Sequence, residues 1–218
     1  MTHKHDTLLD EGLVLDAASG AAPTAVRVLA ACQAELNEAA NVRLGSAEAA
    51  FGALLESAPT TTVSNDLFAS TLAQLDDAAP PSEPDAPAAD PLPRALRSVL
   101  PEGDEIRWSP RFGGMGEVVL KSLCEPGVHA RLLKLPSGCS APEHTHGGDE
   151  ITLVLTGSFR DEVSRYSAGD VCHAASGHMH KPVVDSDEDC ICFVVEFGPL
   201  KPTNPVLSVA GAVLGRLF

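Results

Sequence analysis

Three histidines and one glutamate in the second half of the chain have types and spacing that suit metal binding. Residues 138–150 read GCSAPEHTHGGDE, which places His144 and His146 two positions apart and Glu150 shortly after them. Side chains at positions i and i+2 of an extended chain point to the same side. His180 would complete a set of four ligands. Imidazoles with one carboxylate suit a divalent cation, zinc first, with iron, manganese or nickel as alternatives.

Glycines frame these candidate ligands in two half-motifs that resemble the signature of the cupin superfamily. The first half, Gly-x5-His-x-His-x3-Glu-x6-Gly, is matched in full over residues 138–157. The second half, Gly-x5-Pro-x-Gly-x2-His-x3-Asn, is matched at Gly169, Gly177 and His180 and not at Ala175 and Val184, where Pro and Asn are expected. Neither departure removes a candidate ligand.

Four further polar residues near the motif are weaker candidates. His173 and His178 lie close to His180 in the sequence, and His178 is expected to neighbour a ligand or to be exposed. Glu143 precedes His144 and is expected to support a ligand or to be solvated. His129 lies on an early predicted strand and is expected to be a barrel residue rather than a ligand.

The elements that must position these residues are short strands. Apolar or β-branched segments separated by Gly, Pro and Asp predict strands over residues 129–135, 151–155, 158–165, 171–174, 182–184 and 190–197. Regularly spaced short strands predict a jelly-roll barrel, the double-stranded β-helix that the cupin resemblance also implies.

The first half of the chain has the periodicity of helices instead. One helix is predicted from Leu8 to Ala18, a second from Pro23 to Leu36, a third capped by Asn37 and a fourth capped by Ser64 or Asn65. These helices form a small bundle with few large side chains, so we expect the bundle to present an apolar face to a partner. The predicted fold class is α+β and multidomain, with this bundle preceding the barrel.

A proline-rich segment separates the two halves. Residues 79–93 read APPSEPDAPAADPLP, and such a composition forms neither a helix interior nor a central strand. The predicted organisation is therefore a helical domain (1–78), a linker (79–93), a metal-binding cupin domain (94–205) and an apolar tail (206–218). The tail is expected to cover a barrel face or to form a homodimer contact.

Charge and hydropathy exclude several functions. The 218 residues include 15 basic and 30 acidic side chains, for a net charge of −15. This charge repels phosphate backbones and disfavours nucleic-acid binding, whereas it favours a basic protein partner. No apolar run approaches the roughly 18 residues of a membrane span, and the N-terminal sequence lacks the apolar core of a signal peptide. The predicted location is the cytoplasm.

The six cysteines are expected to be free thiols, because disulfides are rare in the cytoplasm. Cys190 and Cys192 lie in the apolar run CICFVVEF and are expected to project from one face of a core strand. Cys139 and Cys172 lie beside the metal motif and are candidate targets of oxidation.

The whole chain resembles the ChrR-type anti-sigma factors. The resemblance rests on LLDEGLVLDAASG, AEAAFGALLES and Leu67–Asp76 in the first half, and on EHTHGGDEITLVLTGSFRDEVSRYSAGD and DCICFVV in the second. It implies that the helices bind a sigma factor of the extracytoplasmic-function group and that the cupin domain releases it on oxidative stress, such as singlet oxygen or organic peroxides. The partner-binding residues that we infer are Leu13, Leu29, Leu36, Phe51, Leu54 and Leu55.

One family feature is missing from the helical half. Zinc-containing members carry His-x3-Cys-x2-Cys there, and the best alignment places Gln33, Asn37 and Ala40 at those positions, with Cys32 one residue out of register. A thiolate–imidazole zinc site cannot form from these residues. His3 and His5 lack partners and are expected to be exposed. We therefore predict no zinc in the helical domain and a core closed by apolar packing, for instance by Leu36.

Two alternatives stay open on the sequence. The histidine–glutamate set also resembles metal-dependent cupin dioxygenases and isomerases, although no additional acid–base pair is evident and no catalytic residue is predicted. The second alternative is a ligand-binding cupin with a helical oligomerisation module. For the regulator, we hypothesise that damage at the metal site, or at Cys139, Cys172, Cys190 or Cys192, shifts the barrel against the helices and weakens the sigma contact.

Overall fold

The computed structural model describes residues 7–64, 66–77, 92–100, 106–198 and 200–202. His3, His5, most of the predicted linker (79–93) and the apolar tail (206–218) lie outside the described residues. Helices occupy the first half of the described chain and strands the second, which confirms the predicted fold class.

The described residues contain five α-helices: α1 (Glu11–Ser19), α2 (Thr24–Leu36), α3 (Glu38–Glu56), α4 (Leu67–Asp77) and α5 (Arg94–Arg97). The four predicted helices are confirmed, and α5 is too short to show a periodic pattern. Asn37 caps α3 as predicted, because its side-chain oxygen accepts from the amides of Ala39 and Ala40 at 3.0 and 3.3 Å. Asp10 caps α1 through the Gly12 amide, so this helix begins later than predicted.

None of these described helices is by itself long and apolar enough to cross a membrane. Helices α1 and α2 satisfy such a test of length and composition only when taken together, and the angle between them is 109°.

The strands in the described part of the chain are β1 (Ser109–Pro110), β2 (Gly116–Val119), β3 (Val128–Leu135), β4 (His144–His146), β5 (Glu150–Thr156), β6 (Ser158–Arg160), β7 (Arg165–Ser167), β8 (Val171–Ala174), β9 (Met179–His180), β10 (Val183–Val184), β11 (Cys190–Phe197) and β12 (Leu200–Pro202). The predicted strand over 158–165 is wrong as one element. Its chain turns where Asp161 accepts from the amides of Val163 and Ser164, both at 2.8 Å, which separates β6 from β7.

Antiparallel pairing arranges the strands in three sheets. The largest has the order β1-β2-β3-β11-β5-β8, and the two smaller sheets have the orders β10-β6-β7 and β12-β4-β9. The pairing of β4 with both β9 and β12 joins distant parts of the chain at one place. This arrangement corresponds to the predicted barrel. Two short strands that the sequence did not predict, β4 and β9, carry all three histidines.

Both faces of the central strands are buried. Ile151, Leu153 and Phe193 belong to a core cluster that includes residues of α1 and α2, whereas Val154 and Cys192 pack into the barrel interior. Neighbouring residues of a strand point to opposite faces, so a strand with both faces covered is apolar throughout. This explains the continuous apolar runs in β5 and β11.

Helix α2 covers the outer face of the large sheet. It contacts β3, β5 and β11, and its residues Val26 and Leu29 have no exposed surface. Leu29 is not accessible to a partner in this conformation, because the sheet occupies the face of α2 on which it lies, and its contact with a partner stays a prediction. The helices and the barrel share one hydrophobic core.

The chain after the linker is fixed to the same helix. The Glu35 carboxylate of α2 accepts from the amides of Arg94 and Ala95 at 2.8 and 2.7 Å, which caps α5 from a neighbouring helix. Leu96 of α5 is fully buried in the shared core. The described chain that follows the predicted linker is therefore attached to α2.

Helix α4 and the end of α3 expose large apolar side chains. We call Leu54, Leu55, Leu67, Phe68 and Leu72 the exposed apolar set; Leu55 and Phe68 are 76% and 75% exposed. Leu67 and Phe68 begin α4, and Leu72 lies one turn after Phe68 on the same side. The predicted apolar face of the helical half is present and uncovered in this structure.

Candidate metal centre

Two short antiparallel strands bring the three histidines together. His144 and His146 are alternate residues of β4, so their side chains point to the same side. His180 of β9 pairs directly with His144 across the ladder. The prediction that a histidine from a distant part of the chain approaches the first two is confirmed.

The three imidazoles turn the same ring nitrogen inwards. The Nε2 atom of His180 lies 3.0 Å from Nε2 of His146 and 3.1 Å from Nε2 of His144. Two ligand atoms that are each about 2.1 Å from a common ion lie about 3.0 Å apart at a right angle and about 3.4 Å apart at the tetrahedral angle. The observed spacing therefore fits three nitrogens around one divalent cation.

Glu150 adds an oxygen to this group. It is the first residue of β5 and is buried, and its Oε1 lies 3.6 Å from Nε2 of His146 and 3.9 Å from Nε2 of His180. Thr152 donates a hydrogen bond to the same oxygen at 3.2 Å. One ligand atom from each of the four residues lies within 4.8 Å of the others. Borderline divalent metals bind such sets of imidazole and carboxylate ligands.

The tautomers of two rings can be assigned from their outer nitrogens. Nδ1 of His144 lies 2.7 Å from the carbonyl oxygen of Pro142. Because a carbonyl only accepts, Nδ1 carries the proton and Nε2 presents its lone pair inwards. Nδ1 of His146 faces Oε1 of Glu196 at 3.7 Å, and a carboxylate there favours the same tautomer. The Nε2 atoms of His144 and His146 can therefore both present a lone pair to a cation.

Burial and neighbouring charges shift the pKa values of the four candidate ligands in different directions. Burial, together with the neighbouring His144 and His146, lowers the pKa of His180 to about 4. Burial likewise lowers the pKa of His144. Burial raises the pKa of Glu150 to about 7, against the opposing effect of His146. Burial alone would lower the pKa of His146, but the carboxylates of Glu196 and Glu150 outweigh it and raise the pKa.

A buried charge network that the sequence analysis missed lies behind the histidines. Arg131 of β3 donates to Glu196 at 2.6 Å, lies 3.5 Å from Glu117, and is 3.9 Å from Glu150. Arg111 pairs with Glu117 from the other side. Burial opposes ionisation of Glu196, yet the adjacent imidazole of His146 and the charge of Arg131 lower its pKa. The sequence signal that could have revealed this network was the charged Glu196 within the otherwise apolar strand β11.

A cavity of about 420 Å³ opens beside the candidate ligands. His144, Glu150 and His180 line one part of it, and most of the remaining wall is apolar. Cys172 of β8 and Cys192 of β11 also reach this wall. A small molecule inside the cavity would therefore contact the imidazole–carboxylate group and two thiols.

The weaker candidates lie outside this group. His173 is partly exposed and lies 3.3 Å from the Asp149 carboxylate. His178 is exposed, and its ring centre lies 5.9 Å from that of His180. His129 and Glu143 are exposed. His129 lies on the barrel strand β3 and outside the candidate ligand group, as expected.

The structure separates the cysteines by environment. Cys190 and Cys192 lie on one face of β11 with their sulfurs 3.6 Å apart, which confirms the predicted core position. Cys139 is half-buried, in a turn after β3. Asp161 and Cys172 approach His180 closely enough to form a second possible ligand group, but it shares His180 with the first.

We expect Cys139 to react with a thiol reagent at pH 8 well before Cys32 or Cys172. Burial raises the pKa of each of the latter two thiols to about 12, and the thiolate is the reactive form. Timed iodoacetamide labelling of the native protein, read by peptide mass spectrometry, measures the order. In denaturant the three rates should become similar. Labelling of Cys172 as fast as Cys139 in the native protein would contradict this expectation.

The positions aligned with the family's helical zinc ligands have other roles here. Asn37 caps α3, Ala40 is buried, and Gln33 is a buried residue of α2 that hydrogen-bonds to backbone groups. The expectation that Leu36 closes the core is wrong, because it is 37% exposed and lies at the end of α2. A polar amide, that of Gln33, occupies the interior instead.

The inferred partner-binding residues differ in accessibility. Leu54 and Leu55 are exposed, and Leu36 is 37% exposed. Leu13 and Phe51 are partly buried, and Leu29 is buried. A partner that meets the structure as it stands therefore reaches the end of α3 first. Leu67, Phe68 and Leu72 of α4 are also exposed, although they were not among the predicted partner-binding residues.

Comparison with known proteins places the chain close to one group of regulators. Residues 97–201 match the family model described as the ChrR cupin-like domain. The chain is 34% identical over 205 residues to the anti-sigma-E factor ChrR of Cereibacter sphaeroides, which covers 92% of this chain and 93% of that protein. It also resembles the crystal structure of Rhodobacter sphaeroides SigE in complex with the anti-sigma ChrR, with a TM-score of 0.70 and 33% identity, covering 87% of this chain and 99% of that one.

Proposed function

Because this chain belongs to the family of ChrR-type anti-sigma factors, we propose that its helical half binds an extracytoplasmic-function sigma factor and withholds it from RNA polymerase. Family membership also agrees with the prediction of a regulator rather than an enzyme. Such a protein acts in the cytoplasm, where RNA polymerase is.

The observation that carries this proposal is the exposed apolar set. Leu54, Leu55 and Phe68 are each at least 65% exposed on two helices of a chain that is otherwise strongly acidic. Apolar side chains in this number on helices are typical of a protein interface. The net charge of −15 would complement the basic surface with which a sigma factor meets DNA.

Co-expression tests the proposal. The tagged full-length chain is produced with each candidate sigma factor from the same genome, and pull-down is followed by quantification of both chains. A stoichiometric complex is expected. The full chain is required because residues of α2 share a core with the barrel, so a helical fragment would expose Leu29 and Val26. If no sigma factor is retained, the proposed function is wrong.

We propose further that His144, His146, Glu150 and His180 hold one divalent metal ion, with zinc the first choice. The converging Nε2 atoms, the assigned proton on Nδ1 of His144 and the buried carboxylate support this. A bound cation would add positive charge that offsets the burial of Glu150. The surrounding residues would hold the ligands in place: Pro142 orients His144, Glu196 orients His146, and Arg131 fixes Glu196.

Replacing Glu196 by Gln should weaken metal affinity by about 10- to 100-fold, the usual effect of removing a group that orients a metal ligand. The amide keeps the volume of the carboxylate but loses its charge, so Nδ1 of His146 and Arg131 lose their anionic partner. Competition with a chromogenic zinc chelator measures the affinity. Glu125→Gln, on an exposed carboxylate of the same barrel, is the control and should bind as the wild type. Equal affinities for the two variants would contradict the role of Glu196.

For release, we propose that oxidation at the metal centre or at its thiols shifts the barrel against the helices. Cys172 and Cys192 line the same cavity as the candidate ligands, and β11 also contacts α2. A change in the packing of β11 would therefore reach the helical half through the shared core. The test uses a variant with Cys139, Cys172, Cys190 and Cys192 all changed to Ser. If it still releases its sigma factor under oxidant, the thiols are not the sensor.

A further inference from the structure

Gln33 is a polar side chain in the interior of the molecule. It is 2% exposed, on the face of α2 that turns towards the barrel. Its side-chain Oε1 accepts from the Leu9 amide at 3.0 Å, and its Nε2 donates to the carbonyl oxygens of Thr7 and Gly169, each at 3.1 Å. Both donors and the acceptor of the amide are therefore used, and all three partners are backbone groups.

These partners belong to three separate parts of the fold. Thr7 and Leu9 lie in the segment before α1, Gln33 lies in α2, and Gly169 lies in the turn between β7 and β8 of the barrel. Gly169 is 136 residues from Gln33 in sequence. One side chain thus joins the N-terminal segment, a helix and the barrel.

Further bonds hold the N-terminal segment to the same turn. The amide of Val171 donates to the Thr7 carbonyl at 2.7 Å, and the Thr7 hydroxyl donates to the Asp170 carboxylate at 2.7 Å. Arg43 of α3 donates to the Leu9 carbonyl at 3.1 Å. Helix α3, which carries Leu54 and Leu55, is therefore tied to the same short segment.

Gly169 allows the two halves to approach closely. Its φ is +87°, and a Cβ atom there would lie 3.0 Å from the carbonyl oxygen of Leu36 at the end of α2. A side chain at this position would meet backbone, which cannot move aside. Only glycine permits both the conformation and the contact.

We propose that Gln33 is a latch that holds the helical half on the barrel and couples the two. Gln33 bonds to Gly169, in the turn of residues 169–171. This turn continues into β8, whose Cys172 reaches the cavity at the candidate metal centre. Movement of β8 would therefore pull on Thr7, Leu9 and α2 through a few direct hydrogen bonds. The latch is a property of this chain alone and stands whether or not a sigma factor binds.

The test is hydrogen exchange on the full-length protein without any partner. Gln33→Met keeps the length of the side chain and removes all three hydrogen bonds. The amides of Leu9 and Val171 should then exchange about 10- to 100-fold faster, whereas those of the β3–β11 ladder should keep their wild-type rates. Glu125→Ala is the matched control: it removes an exposed hydrogen bond between Thr24 and the barrel and should change the two reporter amides less than about twofold.

Gln33→Glu is a second variant that separates the donor from the acceptor. It retains an oxygen for the Leu9 amide but turns a carboxylate oxygen towards the carbonyls of Thr7 and Gly169. At pH 8 the Val171 amide should again exchange at least about tenfold faster. Unchanged exchange at Leu9 and Val171 in both variants would overturn the latch. Equal acceleration throughout the β3–β11 ladder would also overturn it, because Gln33 would then stabilise the whole fold.

Discussion

Replacement of Leu55 by Glu is expected to weaken sigma-factor binding by about 100-fold, which corresponds to about 2.7 kcal/mol. Leu55 lies at the end of α3 and is 76% exposed, so in the free protein it contributes little to folding. In the proposed complex it would be covered, and a charge in its place would be buried without a partner. The affinity of the purified full-length variant for its sigma factor, by isothermal titration calorimetry, measures the effect.

The same variant should unfold at nearly the wild-type temperature, because exposed substitutions usually change the free energy of unfolding by less than about 0.5 kcal/mol. Val163→Glu provides the control, since Val163 is an exposed apolar residue of the barrel, at 46%, outside the exposed apolar set. It should bind the sigma factor normally. If Leu55→Glu bound the sigma factor with wild-type affinity, the end of α3 would not be part of the interface. Wild-type affinity for Phe68→Glu as well would refute the proposed interface.

We expect zinc to stabilise the wild-type protein against unfolding, and replacement of His146 by Asn to abolish this effect. An ion that binds only the folded state stabilises it by about 4 kcal/mol when its concentration is about 1,000 times Kd. His146 is 4% exposed, and its Nε2 lies near both His180 and Glu150. Asparagine is too short to bring a nitrogen to the same place. Thermal unfolding with and without zinc, together with metal content by mass spectrometry, gives the comparison.

The quantity to compare is the difference in unfolding temperature between the zinc-loaded and zinc-free forms of each variant. This difference is needed because His146→Asn also changes packing in the barrel. His129→Asn is the control: this exposed histidine lies on β3 outside the candidate ligand set and should leave the zinc effect intact. Retention of one zinc per chain by His146→Asn would show that His146 is not a ligand.

The shared core changes how a regulator of this architecture would work. Leu29 of α2 and Phe193 of β11 belong to one hydrophobic cluster, so the helices cannot move away from the barrel without exposing both. Such exposure costs about 25 cal/mol for each square ångström of apolar surface. In the proposed mechanism, a signal in the barrel would act on helices that already pack against it, without a flexible connection between independent halves.

The candidate metal centre could be predicted because its main determinants are local. The spacing of His144 and His146 defines one face of a strand, and the glycines around them mark turns whatever the rest of the fold does. His180 could be added only through the second half-motif and the family resemblance. Glu196 and Arg131 were missed, since a charge in a strand reveals neither its face nor its partner until the strands pair.

The sequence by itself determined the order of helices and strands, the caps such as Asn37, the four candidate ligands and the family. Apart from His180 and the family, which rest on longer motifs, these features depend on residues a few positions apart, whose geometry is set by helical or strand periodicity. Only the tertiary structure decided that Leu29 faces the sheet, that Leu36 stays partly exposed and that Gln33 bonds to Gly169. These features join residues more than a hundred positions apart, and short-range periodicity does not constrain such contacts. Packing chooses among the faces that periodicity allows, so burial and long-range hydrogen bonds appear only when the whole chain has folded.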